Sequence, residues 1–217
     1  SNISLTIGNT TIYPSSTVRN LGVEFDSAMN MSSHVSAICK TVNFHLWNLS
    51  RVRMYIDETT CHHAIRALVT SRLDYANSLF QGSSSKEIKR LQRLQNKAAK
   101  LIFMAKKYDH ASPLLRQLHW LPVAKRIEFK TLVFVYKCFT DSAPSYLTEL
   151  ITPYQSHRSG LRSSTDTRLL TRPKTRLCFS NKGFYASAPK LWNNLPRHIR
   201  HASSLTQFKS SLKTHLF

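Results

Sequence analysis

The sequence has little of what metal-dependent enzymes and membrane proteins need. Its 217 residues include only 11 acidic residues and five glycines, and its six aspartates stand singly along the chain. Two-metal catalysis needs clustered carboxylates, and a phosphate-binding loop needs closely spaced glycines, so the sequence offers neither kind of site. No apolar run approaches the roughly 18 residues that a membrane-spanning helix requires.

The four cysteines are also few and far apart, at positions 39, 61, 138 and 178. This spacing argues against a zinc site and favours reduced thiols in a packed core. The first residues lack the basic and apolar regions of a signal peptide. We therefore expect an intracellular protein, with the nucleus as one candidate compartment, and no membrane partner.

Cations, in contrast, are abundant and unevenly distributed. The chain has 31 Lys and Arg residues and a formal net charge of +20. Residues 1–85 hold six of these cations and five acids, whereas residues 86–217 hold 25 cations and six acids, a net charge of +19. A folded protein with this self-repulsion commonly binds a polyanion, most often nucleic acid. The alternative is a solvated surface whose charge only maintains solubility.

The region from Ser83 to Phe139 is the part around which we expect the chain to be organised. Ser84 and Glu87 form a capping box at the start of a helix. Cations recur along this helix at steps of three or four and share one face, which consists of Lys86, Arg90, Arg93, Lys97 and Lys100. The other face is apolar. A second helix, Val123 to Phe139, is apolar almost all round, so we expect it to be buried and to support the cationic helix.

Outside this region, the patterns predict short strands followed by more helices. Residues 3–13 alternate about Gly8 as a β-hairpin does, and a third strand is predicted at residues 20–25. Helices are predicted from Ser32, Asp57, Pro144 and Ser204. The expected fold is therefore mainly α, a helical bundle preceded by a short β-hairpin, with divisions at residues 1–30, 31–110 and 111–217.

Residues 153–182 form a long basic segment with little periodicity. Phosphate contacts are expected from five of its cations, namely Arg158, Arg162, Arg172, Lys174 and Arg176. A flexible basic connector is the alternative interpretation. Trp192, which follows this segment, suits either a core anchor or a base-stacking platform, and its apolar neighbours favour the core.

No pattern in the sequence indicates catalysis. There is no nucleophile elbow and no metal-ligand spacing, and His62 and His63 point in different directions on a helix. We therefore expect no catalytic residue, no metal, no cofactor and no small-molecule substrate. Binding is the function that remains for the basic, folded region.

Several phrases, read in order, resemble one family. They resemble the C-terminal part of the reverse transcriptase that LINE-type, non-LTR retrotransposons encode. The phrases are residues 20–26 (NLGVEFD), 71–75 (SRLDY), 91–99 (LQRLQNKAA), 118–123 (LHWLPV) and 188–196 (APKLWNNLP). Together they span nearly the whole chain, and since no methionine begins it, we expect the chain to be part of a longer protein.

The resemblance implies a palm end at residues 1–30, a thumb-like helical domain and a basic C-terminal extension. Leu21, Gly22 and Val23 would be a primer-grip remnant, and the partners would be the RNA and DNA of a template–primer duplex. The parent protein would be a magnesium-dependent, RNA-directed DNA polymerase, but its paired catalytic aspartates match no position here. Two alternatives remain: a co-opted protein-interaction module and a transposon relic without function.

Overall fold

The computed structural model describes residues 4–155, 168–176 and 180–217. Within these ranges the chain is mainly α-helical, and two separate two-stranded antiparallel sheets precede the helices. The predicted fold class, a mainly α protein with a short β-hairpin before the helices, is confirmed. None of the described helices is both long and apolar enough to cross a membrane.

The N-terminal strands form two hairpins. Strands β1 (Leu5–Ile7) and β2 (Thr10–Ile12) pair around Gly8 as predicted. Strands β3 (Thr17–Asn20) and β4 (Val23–Asp26) form a second hairpin. The prediction of one continuous strand at residues 20–25 is therefore wrong. Leu21 and Gly22 have φ angles of 47° and 80° and form the turn, because a left-handed pair matches the twist of the flanking strands.

The first helices follow their sequence signals closely. Helix α1 (Ser32–Val52) buries its apolar residues at steps of three and four. A one-turn 3-10 segment, Arg53–Tyr55, follows it. Helix α2 (Glu58–Ile65) begins after Asp57, whose carboxylate accepts a hydrogen bond from the Thr60 amide. A π-helical segment, Arg66–Thr70, then continues into α3 (Ser71–Asp74), so the predicted helix is interrupted by a bulge.

Seven helices follow in the described part of the chain, after a 3-10 turn at Asn77–Phe80. They are α4 (Ser85–Ile102), α5 (Ala111–Gln117), α6 (Val123–Phe139), α7 (Ser145–Thr148), α8 (Phe184–Asn193), α9 (Arg197–Arg200) and α10 (Leu205–Leu216). Another 3-10 turn, Ser180–Lys182, precedes α8. The predicted bounds of α6 are confirmed at both ends, and α10 begins after its predicted cap, Ser204.

The buried side chains form two hydrophobic clusters that share helix α6. Val123 and Ile127 belong to the cluster built by α1, α2 and α4, whereas residues 132–138 belong to the cluster built with α8 and α10. Trp192 is fully buried in the second cluster and stacks on Phe139 at 5.2 Å between ring centroids. The favoured interpretation of Trp192, as a core anchor, is confirmed. The division at residue 110 stays a prediction.

A glutamine network fixes α4 against the start of α6. Gln95 is 1% exposed and donates from Nε2 to the Leu121 carbonyl at 2.9 Å. Gln92 accepts from the Val123 amide at 2.8 Å and donates to Gln95 Oε1 at 2.9 Å. Because buried amides are stable only when paired, this network sets the register between the two helices.

Burial also governs the titratable groups of the core. His34 stacks on Phe80, and its Nδ1 accepts from the Glu24 amide at 3.4 Å. Burial lowers the pKa of His34, although the nearby Glu24 carboxylate opposes this effect. Burial likewise raises the pKa of the Cys61 and Cys138 thiols, which are free cysteines in the core. Cys178 lies outside the described residues.

Candidate nucleic-acid interface

The cationic face of α4 exists as the sequence predicts. Ser84 caps the helix by accepting from the Glu87 amide at 3.3 Å. Apolar side chains on the opposite face, including Leu91, Leu94 and Ile102, are buried. The five predicted cations lie on the solvent side, where Lys86, Arg93 and Lys97 are exposed and Arg90 and Lys100 are half-buried. The amphipathic pattern thus leaves one row of cations available to a partner.

Helix α1 lies alongside this cationic face. Arg90 donates to Ser36 Oγ at 3.1 Å, and Lys97 donates to Asn43 Oδ1 at 3.1 Å. Both pairs are 54 residues apart in sequence, so α1 and α4 run in the same direction. Ser36 and Asn43 share one face of α1 with Lys40, Trp47 and Arg51. The α4 cations therefore face a polar and basic edge of α1.

A groove opens between the C-terminal halves of the two helices, and we call it the α1–α4 groove. It consists of two cavities of about 700 Å³ and about 400 Å³ that share Ser50, Lys97 and Leu101 as lining residues. Four further cations line its larger part, namely Arg53, Arg93, Lys100 and Lys107. A concave, positively charged wall of this kind concentrates electrostatic potential and attracts anions.

Aromatic side chains accompany the cations at this groove. Trp47 lines the smaller cavity and is 57% exposed. The Arg51 guanidinium lies 5.0 Å from the Trp47 ring centroid, within the range of a cation–π contact. Lys107 lies 5.7 Å from the ring centroid of Tyr108, which is 88% exposed. Exposed rings beside cations are the combination that binds unpaired bases and their phosphates.

Most of the predicted α4 cations keep their charge uncompensated. Arg90 pairs with Glu87 at 2.8 Å. Within residues 4–155, 168–176 and 180–217, no carboxylate lies within 4.0 Å of the charged nitrogens of Lys86, Arg93, Lys97 or Lys100. Lys100 donates instead to the Lys107 carbonyl at 2.6 Å. Four of the five cations therefore have no acidic partner among the described residues.

Arg53 lies at one end of the groove and holds it in place, and no local pattern in the sequence indicates this role. Its side chain is buried and donates to three carbonyls: from Nε to Leu101 at 2.9 Å, from Nη1 to Ile56 at 2.8 Å and from Nη2 to Ile102 at 2.6 Å. Two of these carbonyls lie at the C-terminal end of α4, where a cation also stabilises the helix dipole. Arg53 thus fixes the end of α4 against α1.

The basic segment 153–182 is anchored at its base. The Tyr154 amide donates to the Leu169 carbonyl at 2.9 Å, and the Thr171 amide donates to the Thr152 carbonyl at 2.8 Å. Asn193 binds both the amide and the carbonyl of Leu170, which is buried. Residues 152–154 and 169–171 therefore run antiparallel and side by side.

We call the basic segment 153–182 the arm. Its five predicted phosphate-binding cations fall into three groups. Arg158 and Arg162 lie outside the described residues. Arg172 donates to Asn194 Oδ1 at 3.3 Å, whereas Lys174 and Arg176 are exposed. The structure places none of these three described cations on the α4 face itself.

The end of the arm nevertheless returns to the start of α4. The Lys182 side chain packs over Gly82, where an added Cβ would lie 2.7 Å from its Cγ. Gly82 is two residues before the cap of α4. The Lys182 side chain therefore lies close to the start of α4.

The predicted primer-grip residues lie at the tip of the second hairpin. Leu21 is 84% exposed, whereas Val23 is 3% exposed and belongs to the first cluster. The Tyr75 hydroxyl donates to the Leu21 carbonyl at 2.6 Å, and its ring lies beside Gly22. Leu21 and Gly22 form the turn and face solvent, whereas Val23 begins β4 and is buried.

No protein-family model, curated protein or solved structure matches this chain. The resemblance to LINE-type reverse transcriptases therefore stays a prediction.

The carboxylates of the described residues are either scattered along the chain or paired with a cation. Asp74, in the SRLDY phrase, binds Arg126 of α6 through both of its oxygens, at 2.8 Å from Oδ1 to Nε. Among the described residues, no three His, Cys, Asp or Glu side chains are grouped as metal ligands are. The contacts of Asp74 give it a structural role, since its ion pair joins α3 to α6.

Proposed function

We propose that this chain holds a nucleic-acid duplex by its phosphates, as the thumb-like and C-terminal part of a LINE-type, non-LTR reverse transcriptase. The row of Lys86, Arg93, Lys97 and Lys100, with no carboxylate partner among the described residues, is the observation that carries the proposal. The parent protein is an RNA-directed DNA polymerase, and this part binds the template–primer duplex without catalysing the reaction.

Phosphate contacts suit the α4 face better than base-edge contacts do. Lysine ammonium groups act as point charges, and hydrogen bonds to phosphate carry no sequence information. Lys174 and Arg176 are also exposed, so their charges are available to phosphate. The expected binding is therefore tight at low salt and nearly independent of sequence.

Fluorescence anisotropy with a labelled RNA–DNA hybrid tests this proposal. Four phosphate contacts predict that affinity falls roughly 100-fold between about 50 and 200 mM salt, because each contact releases condensed counterions. A hybrid with a shuffled sequence should bind equally well. No binding at the lower salt concentration, or an affinity that salt does not change, would refute the proposal.

A protein partner is the second candidate function. Exposed apolar side chains at the α1–α4 groove, namely Trp47, Met54 and Met104, favour it. Methionine and tryptophan are enriched where one protein docks on another. Substituting Trp47 and Met54 by polar residues would then abolish partner binding, whereas affinity for the hybrid would depend mainly on the α4 cations.

A further inference from the structure

A second cavity lies on a different part of the molecule, and we call it the Trp120 cavity. Its volume is about 550 Å³, within the range of small-molecule sites. The π-helical segment, the loop that holds Trp120, helix α6 and Lys213 of α10 enclose it. It shares no lining residue with the α1–α4 groove. Elements of both hydrophobic clusters therefore build one pocket.

The charges around the Trp120 cavity favour an anion. Four cations line it: Arg66, Arg126, Lys130 and Lys213. Asp74 is the one acid of the lining, and Arg126 engages both of its oxygens. Among the described residues, the charged groups of Arg66, Lys130 and Lys213 have no carboxylate within 4.0 Å. Several cations around one cavity are an arrangement that can bind phosphate, and Lys130 and Lys213 each have only an aromatic ring, Phe134 and Phe217, near the ammonium group among the contacts of the described residues.

The apolar part of the cavity is aromatic. Trp120 and Phe129 are half-buried, and both line the cavity. The His62 ring lies 5.8 Å from the Trp120 ring at an angle of 32°, which limits how far the indole moves on that side. A flat aromatic group would gain stacking area against such a wall.

One buried polar group in the wall has an unused hydrogen-bonding atom. Asn77 is 5% exposed, and its Nδ2 donates to Asp74 at 3.5 Å. Its Oδ1 is buried and has no hydrogen-bond donor in the described structure. Because this oxygen is closed off from solvent, Asn77 belongs to the wall of the cavity and is not itself a contact for a ligand.

We propose that the Trp120 cavity binds one nucleotide. The base stacks on the aromatic wall of Trp120 and Phe129, and Arg66, Lys130 and Lys213 bind the phosphate. The nucleotide is either a free monophosphate or the 5′-phosphorylated end of a strand. Because the cavity is separate from the α1–α4 groove, this site does not depend on the proposed duplex binding.

Isothermal titration calorimetry of the 217-residue chain tests the site, with adenosine monophosphate as the ligand and inorganic phosphate as the control. The nucleotide should bind at least about 10-fold more tightly than phosphate, because stacking of the base adds to the charge attraction. Equal affinity for the two ligands, or no binding of the nucleotide, would overturn the proposal.

Variants separate this site from the α4 face. Arg66→Gln with Lys130→Gln should weaken nucleotide binding at least about 10-fold, because charge-assisted hydrogen bonds to phosphate are lost. The matched control, Arg93→Gln with Lys97→Gln, should leave nucleotide affinity unchanged and weaken binding of the RNA–DNA hybrid. Nucleotide affinity equal to wild type in the Arg66 and Lys130 variant would also overturn the proposal. Both substitutions are at the exposed surface of the cavity, and thermal melting of the variant shows whether it is folded.

Competition identifies the source of the nucleotide. If a 5′-phosphorylated oligonucleotide displaces adenosine monophosphate and its unphosphorylated counterpart does not, the site takes a strand end. If neither oligonucleotide displaces the monophosphate, the site takes free nucleotides. Both results support a nucleotide site, and displacement of the monophosphate by inorganic phosphate at equal concentration contradicts it.

Discussion

Replacing Arg53 by alanine should destabilise the protein strongly. The substitution leaves the Leu101, Ile102 and Ile56 carbonyls without the donor that now binds each of them. Each hydrogen bond to a charged group contributes about 1.5–3 kcal/mol, and the contributions overlap, so we expect a loss of about 3–5 kcal/mol. This loss is a large part of the 5–15 kcal/mol that typically separates folded from unfolded states.

Urea unfolding followed by far-UV circular dichroism measures this loss. The matched control is Arg51→Ala, two residues earlier, since Arg51 is exposed and its guanidinium lies over the Trp47 ring without a carboxylate partner among the described residues. It should cost about 1 kcal/mol or less. Arg53→Lys should fall between the two, because a single ammonium cannot reach three carbonyls in the geometry of the guanidinium fork.

The result for Arg53 decides whether the groove has a rigid end. If Arg53→Ala costs no more than Arg51→Ala, the three hydrogen bonds do not hold α4 against α1, and the reasoning is refuted. If Arg53→Ala shows the expected loss of stability, the end of α4 is displaced in this variant. The variant should then also bind the RNA–DNA hybrid more weakly.

Three further outcomes follow from the core. The pKa of His34 is lowered in the folded state, so its contribution to stability is present above the ordinary pKa of about 6.5 and is lost as the pH falls through the folded pKa. The urea midpoint should therefore decrease as the pH is lowered through this range. His34→Gln should remove part of that decrease. Asp74→Asn breaks the bidentate ion pair with Arg126. A double-mutant cycle with Arg126→Gln should give a coupling energy of about 1–3 kcal/mol. A coupling energy near zero would show that the pair does not stabilise the fold. Cys61 and Cys138 are buried and their pKa values are raised, so a thiol reagent should modify them at neutral pH only at the rate of unfolding; rapid modification of the native protein would contradict their placement in the core.

Local signals predicted much of the fold. The caps at Asp57, Ser84 and Ser204 each accept the expected backbone amide, because capping is decided within three residues of sequence. The periodic spacing of apolar residues likewise predicted α1, α4, α6 and α10. The bounds of α6 follow from Pro122 before it and from the continuous apolar pattern within it.

Features that depend on distant contacts were not predictable from these signals. The alternation of apolar residues continues across Leu21 and Gly22 and therefore predicts a strand there. The backbone angles of these two residues reveal the turn of the second hairpin instead. No local pattern indicates the role of Arg53, since its partners Leu101 and Ile102 lie 48 and 49 residues away.

The candidate site shows the same division between local and distant information. The cationic face was readable from helical spacing alone, and the helix exists with that face exposed. The contribution of α1 to the site was missed, because Trp47 and Arg51 gain their meaning only when α1 packs beside α4. The lone Gln95 in an otherwise apolar stripe could have indicated a buried network, as a polar residue in that position requires partners.

The salt dependence of hybrid binding in a charge variant tests the central claim most directly. In the variant with Lys86, Arg93, Lys97 and Lys100 replaced by glutamine, the slope of log affinity against log salt should become less steep by about 3–4, since each phosphate contact contributes about 0.9. A control with Lys190→Gln and Lys209→Gln, on exposed parts of α8 and α10, should keep the wild-type slope. An unchanged slope in the α4 variant would show that these cations do not contact phosphate, and would contradict the account.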